Sequence, residues 1–424
     1  MPFLTLEDPN AKIKGSRDPL GLVQIWYSFG RQVVTNLTTQ TSSVRGFTVL
    51  ILGRYLAARL IDEGTVPQEE ALNVFLRFEQ LAAYAREAVH GAGGDIRGID
   101  RVRRNLQERP RKIAIQANRR GMILSDQKVY GLWGLFSVSA RTSGLLSDGP
   151  VGVTERAAEF IESEYMPVLE GSLRPLLRLL ARGGSIDTRR GDKVFTSIAE
   201  VLAPHLTNAE VRFYRDHLGN ATAVQGVAAR RQAELTGLLE QLDPDYIGRE
   251  EILELRDRSR SNDGDLSHCL DRIARVEALL APAAYVFDYC LTRDRQPPED
   301  IAGKLEAAWG RVPNLAPSDF EELVPEIRDE AGKEVAGLAR CVCEGLSSAN
   351  YGDVIRALFD WNAVVMKTRK SGPWATLDEK GRVEIRYRGS EQLLPKADAL
   401  PTLWRNGYFL DSLSQIVHQL SNSN

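Results

Sequence analysis

At 424 residues the chain is long for one domain and ordinary for two or three, and an apolar share of 43% is enough to build real cores. Its 54 lysines and arginines against 57 acidic residues leave a net charge of −3, which excludes a molecule that holds nucleic acid by overall charge. Any such role has to rest on local asymmetry, because the local field is what steers a polyanion.

Four cysteines, Cys269, Cys290, Cys341 and Cys343, are few for the length, and the opening residues do not read as a signal peptide. A reducing cytoplasm is the expected compartment. The first 17 residues read as an arm without a core of its own. Asp18-Pro-Leu-Gly21 is a turn or helix entry, followed by Ile25, Trp26 and Phe29 at helical spacing. The polar stretch from Asn36 to Ser43 predicts a loop that caps the next helix through Ser42 or Ser43. The functional alternative there is a phosphate or partner site formed by Arg31, Arg45 and the threonines. The most apolar run, Phe47 to Leu52, falls short of the about 20 residues of a membrane span, so it predicts a core helix. Thr65-Val-Pro-Gln68 has the pattern of a capping box. The helix it opens carries Ala71, Val74, Phe75, Phe78, Leu81, Ala82 and Ala85 as one apolar stripe and ends at the glycines after His90. Those glycines lack the Gly-Lys-Ser/Thr ending of a phosphate loop.

The strongest charge imbalance comes next. Over residues 97–120, Arg97, Arg101, Arg103, Arg104, Arg109, Arg111, Lys112, Arg119 and Arg120 face only Asp100 and Glu108. Arg97, Arg101 and Arg104 share a helical face, and Pro110 ends that helix. Such a run can supply the sequence-independent part of nucleic-acid affinity, since each neutralised phosphate releases counterions. The alternative is pairing with an acidic surface; residues 319–334 carry seven acidic side chains and would serve.

Residues 125–142 predict an apolar helix with Val129, Leu132, Trp133, Phe136 and Ala140 buried, and with Gly131 and Gly134 placed for close backbone approach. A very short hairpin across Ser147-Asp-Gly-Pro150 follows, and then a helix capped by Thr154. This order resembles a winged-helix unit. Its would-be recognition helix offers only Gln127, Lys128, Ser137, Ser139 and Arg141 on the polar side, which is thin for reading base edges. Helices continue to the boundary at Leu242-Asp-Pro-Asp245. Beyond it come a charged segment, a long helix over 266–291 kinked or split at Pro282, and an acidic helix opened by a capping box at Ser318. The last part predicts a helix over 351–366, a second basic patch at Lys367, Arg369 and Lys370, and a hairpin with Val383, Ile385 and Tyr387 alternating with charged residues. A helix over 408–420 closes the chain.

His268-Cys269 and Cys341-Val-Cys343 lack the paired spacing of a structural zinc site and predict buried free thiols. No nucleophile elbow, His-Glu-x-x-His or phosphate loop is present, and no carboxylate reads as isolated in an apolar setting. No catalytic residue, metal or cofactor is therefore assigned. Three sets of phrases stand out together: Asp18-Pro-Leu-Gly21 with Phe29-Gly-Arg31 and Arg45-Gly-Phe47; Gly131-Leu-Trp-Gly134 with Ser143-Gly-Leu145; and Arg369 with Pro373-Trp374. In these the chain resembles bacterial proteins associated with multi-gene phage-defence islands, found beside helicases and nucleases. The resemblance carries no active site to transfer; it implies a subunit that works on or near foreign DNA.

The expectation is a mainly α, multi-helix protein with a winged-helix-like central unit and a C-terminal β-hairpin, in five stretches: 1–94, 95–165, 166–243, 244–349 and 350–424. The leading function is a non-catalytic DNA-binding or adaptor subunit of a bacterial anti-phage or DNA-processing complex. It would touch phosphates through the basic run, Lys128 and the patch at Lys367, Arg369 and Lys370, and would have DNA and other protein subunits, such as a helicase or nuclease, as partners. A protein–protein scaffold without nucleic-acid contact is the alternative, and a nuclease-like enzyme with a dispersed active site is the second.

Overall fold

The computed structural model describes residues 18–91, 96–109, 111–149, 151–188, 192–244, 246–259, 265–316, 330–389 and 393–422. Helix makes up 65% and strand 4%, so the fold is mainly α. The chain divides into two compact units, each discontinuous in sequence. One takes residues 33–245 and 409–424; the other takes 1–32 and 246–408. No helix among the described residues is long and apolar enough to cross a membrane.

Helix α1 (Leu22–Gly30) belongs to the second unit. Asp18 closes its entry, accepting the backbone N–H of Leu22 at 2.9 Å and of Val23 at 3.1 Å.

The first unit is built on α2 (Val44–Asp62) and α3 (Ala71–His90). Ser43 caps α2 by accepting the Gly46 N–H. The helix is buried without a break from Val44 to Arg54, as the apolar run predicts. The capping box expected at Thr65 does not form; a short 3₁₀ turn, Gln68–Glu70, leads into α3 instead. The predicted stripe of α3 is buried throughout. Gly53 lets the two helices meet, since a β-carbon there would stand 2.7 Å from the Phe78 ring and 2.9 Å from Phe75.

After α3 the order is α4 (Ile99–Glu108), β1 (Lys112–Ile115), α5 (Gln127–Tyr130), α6 (Leu132–Thr142), α7 (Glu155–Phe160), α8 (Met166–Leu169), α9 (Leu173–Arg182), β2 (Gly184–Asp187), α10 (Lys193–Val201), α11 (Asn208–Tyr214) and α12 (Val227–Leu242). Strands β1 and β2 pair antiparallel, Lys112 opposite Asp187 and Ile115 opposite Gly184. The short hairpin before α7 is a single bridge, Leu146 to Val153. Thr154 caps α7 as predicted and also donates its hydroxyl to the Gly144 carbonyl at 2.8 Å.

Arg45, offered by the sequence as a phosphate ligand, is buried and ion-paired with Glu210. Its other N–H groups reach the carbonyls of Ala203 at 2.7 Å and His205 at 2.9 Å. Glu210 also accepts the Tyr165 hydroxyl at 2.9 Å, and its second oxygen accepts the Thr207 N–H at 2.8 Å. The pair ties α2 to the start of α11 and is a core feature, closed to any phosphate.

The second unit contains α13 (Arg249–Ser259), α14 (Asp265–Cys290), α15 (Pro298–Trp309), α16 (Glu330–Ser348) and α17 (Tyr351–Thr368). Helix α14 runs unbroken past Pro282. The predicted hairpin forms from β3 (Ala375–Leu377) and β4 (Val383–Ile385), with Thr376 opposite Glu384. Asp378 fixes its turn by accepting the N–H groups of Lys380 and Arg382. Glu277 on α14 is buried among apolar residues, though not isolated there. It accepts the backbone N–H of Arg405 (2.6 Å) and Asn406 (3.0 Å), the Asn406 amide (2.9 Å) and the Tyr408 hydroxyl (2.7 Å). The thiols of Cys269, Cys290 and Cys343 are buried as predicted, whereas Cys341 is exposed. The acidic stretch that begins at Ser318 lies, through residue 329, outside the described residues.

The last helix, α18 (Leu410–Ser421), returns to the first unit. There the Gln419 side chain accepts the Val44 N–H at 3.0 Å and donates to the Ser42 carbonyl at 2.7 Å, fastening the start of α2.

Candidate nucleic-acid interface

The basic run does not form one surface helix. Pro110 lies outside the described residues; before it stands α4, and after it the chain turns into β1. Only Val102 of α4 is buried, and the strand alternates, with Ile113 and Ile115 inward and Lys112 exposed.

One turn of α3, residues 76–80, organises what surrounds this strand. Gln80 receives the Gln116 N–H at 3.1 Å and returns its own amide to the Gln116 carbonyl at 3.0 Å, fixing the chain just after β1. Gln127, fully buried at the start of α5, donates to the Leu76 carbonyl at 3.1 Å and to the Glu79 carboxylate at 2.7 Å. Arg77 donates to the carbonyls of Leu180 at 2.7 Å and Ala181 at 3.0 Å, the end of α9. A helical turn rises about 5.4 Å, so three separate segments are brought to one place. Each continues within a few residues into exposed cations: Arg119 and Arg120 after Gln116, Lys128 after Gln127, and Arg182 after Ala181.

Glu79 is the pivot of this arrangement. Its carboxylate accepts the Leu132 N–H at 2.6 Å as well as the Gln127 amide, at the break between α5 and α6. Burial pushes its pKa up to about 7, while those two hydrogen bonds and the positive charge of Arg97 pull it down. With Glu210 and Glu277 it is the third buried carboxylate among the described residues that pattern reading did not single out. The helix predicted as continuous over 125–142 is thus two, because Gly131 is extended at the break (φ −86°, ψ −175°). Asp126 caps the first by accepting the Val129 N–H. Glycine is required at the break: a β-carbon on Gly131 would stand 2.3 Å from the Gln127 carbonyl oxygen.

The predicted site residues separate into two groups. Arg97, half-buried, donates to the Gln40 side chain at 2.8 Å; Arg101 donates to the Met122 carbonyl at 3.0 Å; Arg103 pairs with Glu87 at 2.6 Å. In the other unit, Arg369 donates to the backbone carbonyl and the carboxylate of Asp18, so it braces the entry to α1. Arg104, Arg109, Arg111, Lys112, Arg119, Arg120 and Lys128 are exposed, as are Lys367 and Lys370, and none has an ion-pair partner among the described residues.

A third set was not singled out from the sequence. Arg174, Arg178 and Arg182 lie at i, i+4, i+8 along α9 and are all exposed, without ion-pair partners among the described residues. The α9 helix leads directly into β2, the partner of β1. The signal was present in Leu173-Arg-Pro-Leu-Leu-Arg-Leu-Leu-Ala-Arg182, a sharply amphipathic helix with only arginine as its charged residue. Pairing of strands so distant in sequence was needed to bring it beside the basic run.

Among the described residues no group of three or more His, Cys, Asp or Glu side chains is placed to hold a metal ion. The cavity beside Glu79, Arg86 and Arg97 measures about 20 Å³, room for a water and for no substrate. A groove of about 560 Å³ between residues 220–226 and α12 has no carboxylate or lysine in its lining. No family model, curated protein or solved structure matches the chain.

Proposed function

We propose that the protein is a non-catalytic nucleic-acid-binding or adaptor subunit that holds a phosphate backbone on the surface around β1 and β2. One observation carries this reading. The 116–120 loop, α5 and the end of α9 are anchored on one turn of α3, and the exposed cations that they and β1 carry (Arg119, Arg120, Lys128, Arg182 and Lys112) have no ion-pair partner among the described residues. A surface built this way gains by releasing counterions from a polyanion. The exposed polar side of α6 supports backbone contact over base reading: Ser137 and Ser139 are buried, as is Gln127, which leaves few donors for a groove edge. The setting, an anti-phage or DNA-processing assembly, comes from the sequence resemblance alone.

Binding of labelled duplex DNA, single-stranded DNA and RNA, titrated with salt, tests the reading. A variant with Arg104, Arg111, Lys112, Arg119 and Arg120 changed to Ala runs alongside. Wild type should lose affinity steeply with salt, and the variant should show a shallower slope, by about 0.7 to 0.9 for each phosphate it no longer neutralises. If no nucleic acid binds at low salt while the protein is folded, the reading fails.

The scaffold reading draws on the internal pairing of Arg97, Arg101 and Arg103 and on Val138, 64% exposed on α6. It predicts capture of an acidic protein surface by the same cations. For the enzyme reading, the groove beside α12 offers no carboxylate or lysine, and Glu79 and Glu277 are both engaged with backbone N–H groups.

A further inference from the structure

From the surroundings of this surface we infer that its ligand is a single-stranded nucleic acid, with Tyr130 as the platform for a base and the α9 arginines as the track for the backbone. The inference rests on the proposed phosphate contact and adds the strandedness of the ligand.

Tyr130 ends α5 and is 57% exposed, an unusual position for a large aromatic residue next to a basic surface. Its ring makes no aromatic or cation contact among the described residues. Yet the residue is not loose. Its N–H donates to the Asp126 carbonyl at 2.9 Å, and the next peptide, at Gly131, bonds the Gln127 carbonyl at 3.0 Å. Gln127 in turn is buried and held by α3. A rigid base thus presents an open ring, on the same helical turn whose Gln127 is anchored on α3.

An open aromatic face has a use only where bases are unstacked. In a duplex the base faces lie against one another and are closed to a side chain. In a single strand each base offers a π face, and stacking with a backbone-tracking basic groove gives sequence-tolerant affinity. The spacing of α9 fits the second element. Arginines four residues apart lie about 6 Å apart along the axis at the α-helical rise, so Arg174, Arg178 and Arg182 form a gently winding row of positive charge along α9, whose last turn Arg77 joins to α3 at the Ala181 carbonyl.

The test is fluorescence anisotropy with labelled oligo-dT, oligo-U and a duplex of the same length. The proteins are wild type, Tyr130→Ala, Tyr130→Phe and the double variant Arg178→Ala/Arg182→Ala. The single strands should bind more tightly than the duplex. Tyr130→Ala should weaken single-strand binding at least about fivefold, the lower end of what removing one base–aromatic stack costs, without altering the salt slope. Tyr130→Phe should retain the affinity. The arginine variant should lower the slope by up to about 1.4, from about 0.7 for each single-strand phosphate neutralised. A duplex bound as tightly as the single strands, or a Tyr130→Ala protein with unchanged affinity, overturns this inference and leaves the phosphate surface standing. Failure to bind all three probes overturns both. Oligo-dT against oligo-U separates DNA from RNA as the source of the strand.

Discussion

The Glu79 carboxylate lies so close to Gly131 that a β-carbon on the glycine would stand 2.8 Å from Oε1. The same β-carbon would meet the Gln127 carbonyl oxygen at 2.3 Å, and a backbone oxygen cannot swing aside as a flexible side chain can. Gly131→Ala should therefore destabilise the first unit by about 1–3 kcal/mol, the usual cost of overpacking. Denaturant unfolding measures it, with Gly64→Ala unsuitable as a control because its φ of +66° brings its own strain, whereas Gly303→Ala, in open helix surface, should be neutral or stabilising. A Gly131→Ala protein as stable as wild type would mean that the α5–α6 break does not bear on Glu79.

Glu79 also sets a pH dependence. Its carboxyl keeps the proton up to about pH 7 in the folded protein but releases it near the ordinary value of 4.5 when unfolded. The native state thus binds more protons across that window, and stability falls as pH rises from about 4.5 to about 7, then levels off. The contribution is of the order of 3 kcal/mol at most, from about 1.4 kcal/mol per pH unit. Glu79→Gln should flatten the slope between pH 5 and 7, as followed by thermal unfolding. The same slope in wild type and variant would place the titration elsewhere.

Arg45 and Glu210 are buried together, with side-chain exposures of 5% and 3%. Arg45→Met leaves a carboxylate without its counter-charge in the core and should cost about 3–5 kcal/mol. Adding Glu210→Gln, which keeps an acceptor for Thr207 and removes the stranded charge, should recover a large part of that cost. Equal stability of the single and double variants would show that the charge pairing is not what the core depends on.

Glu277→Ala would leave the donors of Arg405, Asn406 and Tyr408 without their acceptor. An unmet buried donor costs about 1–3 kcal/mol, so the segment 405–408 should open before the rest of its unit. Hydrogen exchange reads this directly: protection at the amides of Arg405 and Asn406 should drop while that of α14 holds. Uniform loss of protection would instead indicate a general role of Glu277 in the core.

How far the sequence could be read depended on how local the determinant was. Local pattern placed the buried α3 stripe, the Thr154 cap and the β3–β4 hairpin, and narrowed the α2 cap to Ser42 or Ser43, because neighbours a few residues apart decide each of them. Gly131 could be seen to want a close backbone, but not that the neighbour would be Glu79, more than fifty residues away. Glu79 and Glu277 sit in apolar helical text, with Phe78 and Leu81 about the one and Val276 and Leu279 about the other, but the backbone N–H groups that make them tolerable arrive from Leu132 and from Arg405, far off in sequence. The arginines of α9 were plain as an amphipathic pattern. Their place beside the basic run follows only from the register of β1 on β2. For Arg45 and Arg369, charge alone suggested a ligand site, and partners distant in sequence claimed both.

The helix α18 has a bearing on the order of events during synthesis. Leu413, Ile416 and Leu420 are fully buried in the unit whose other residues end at 245, and Gln419 holds the first peptide of α2. On a ribosome making about 5–20 residues each second, the first unit would wait some ten seconds or more after its own main stretch is complete before this last piece arrives. During that interval the apolar seat of α18, flanked by α11 and α12, would be open to water and to other nascent chains. Residues 246–408 are free to fold in the meantime, so the two units need not finish in the order in which they begin.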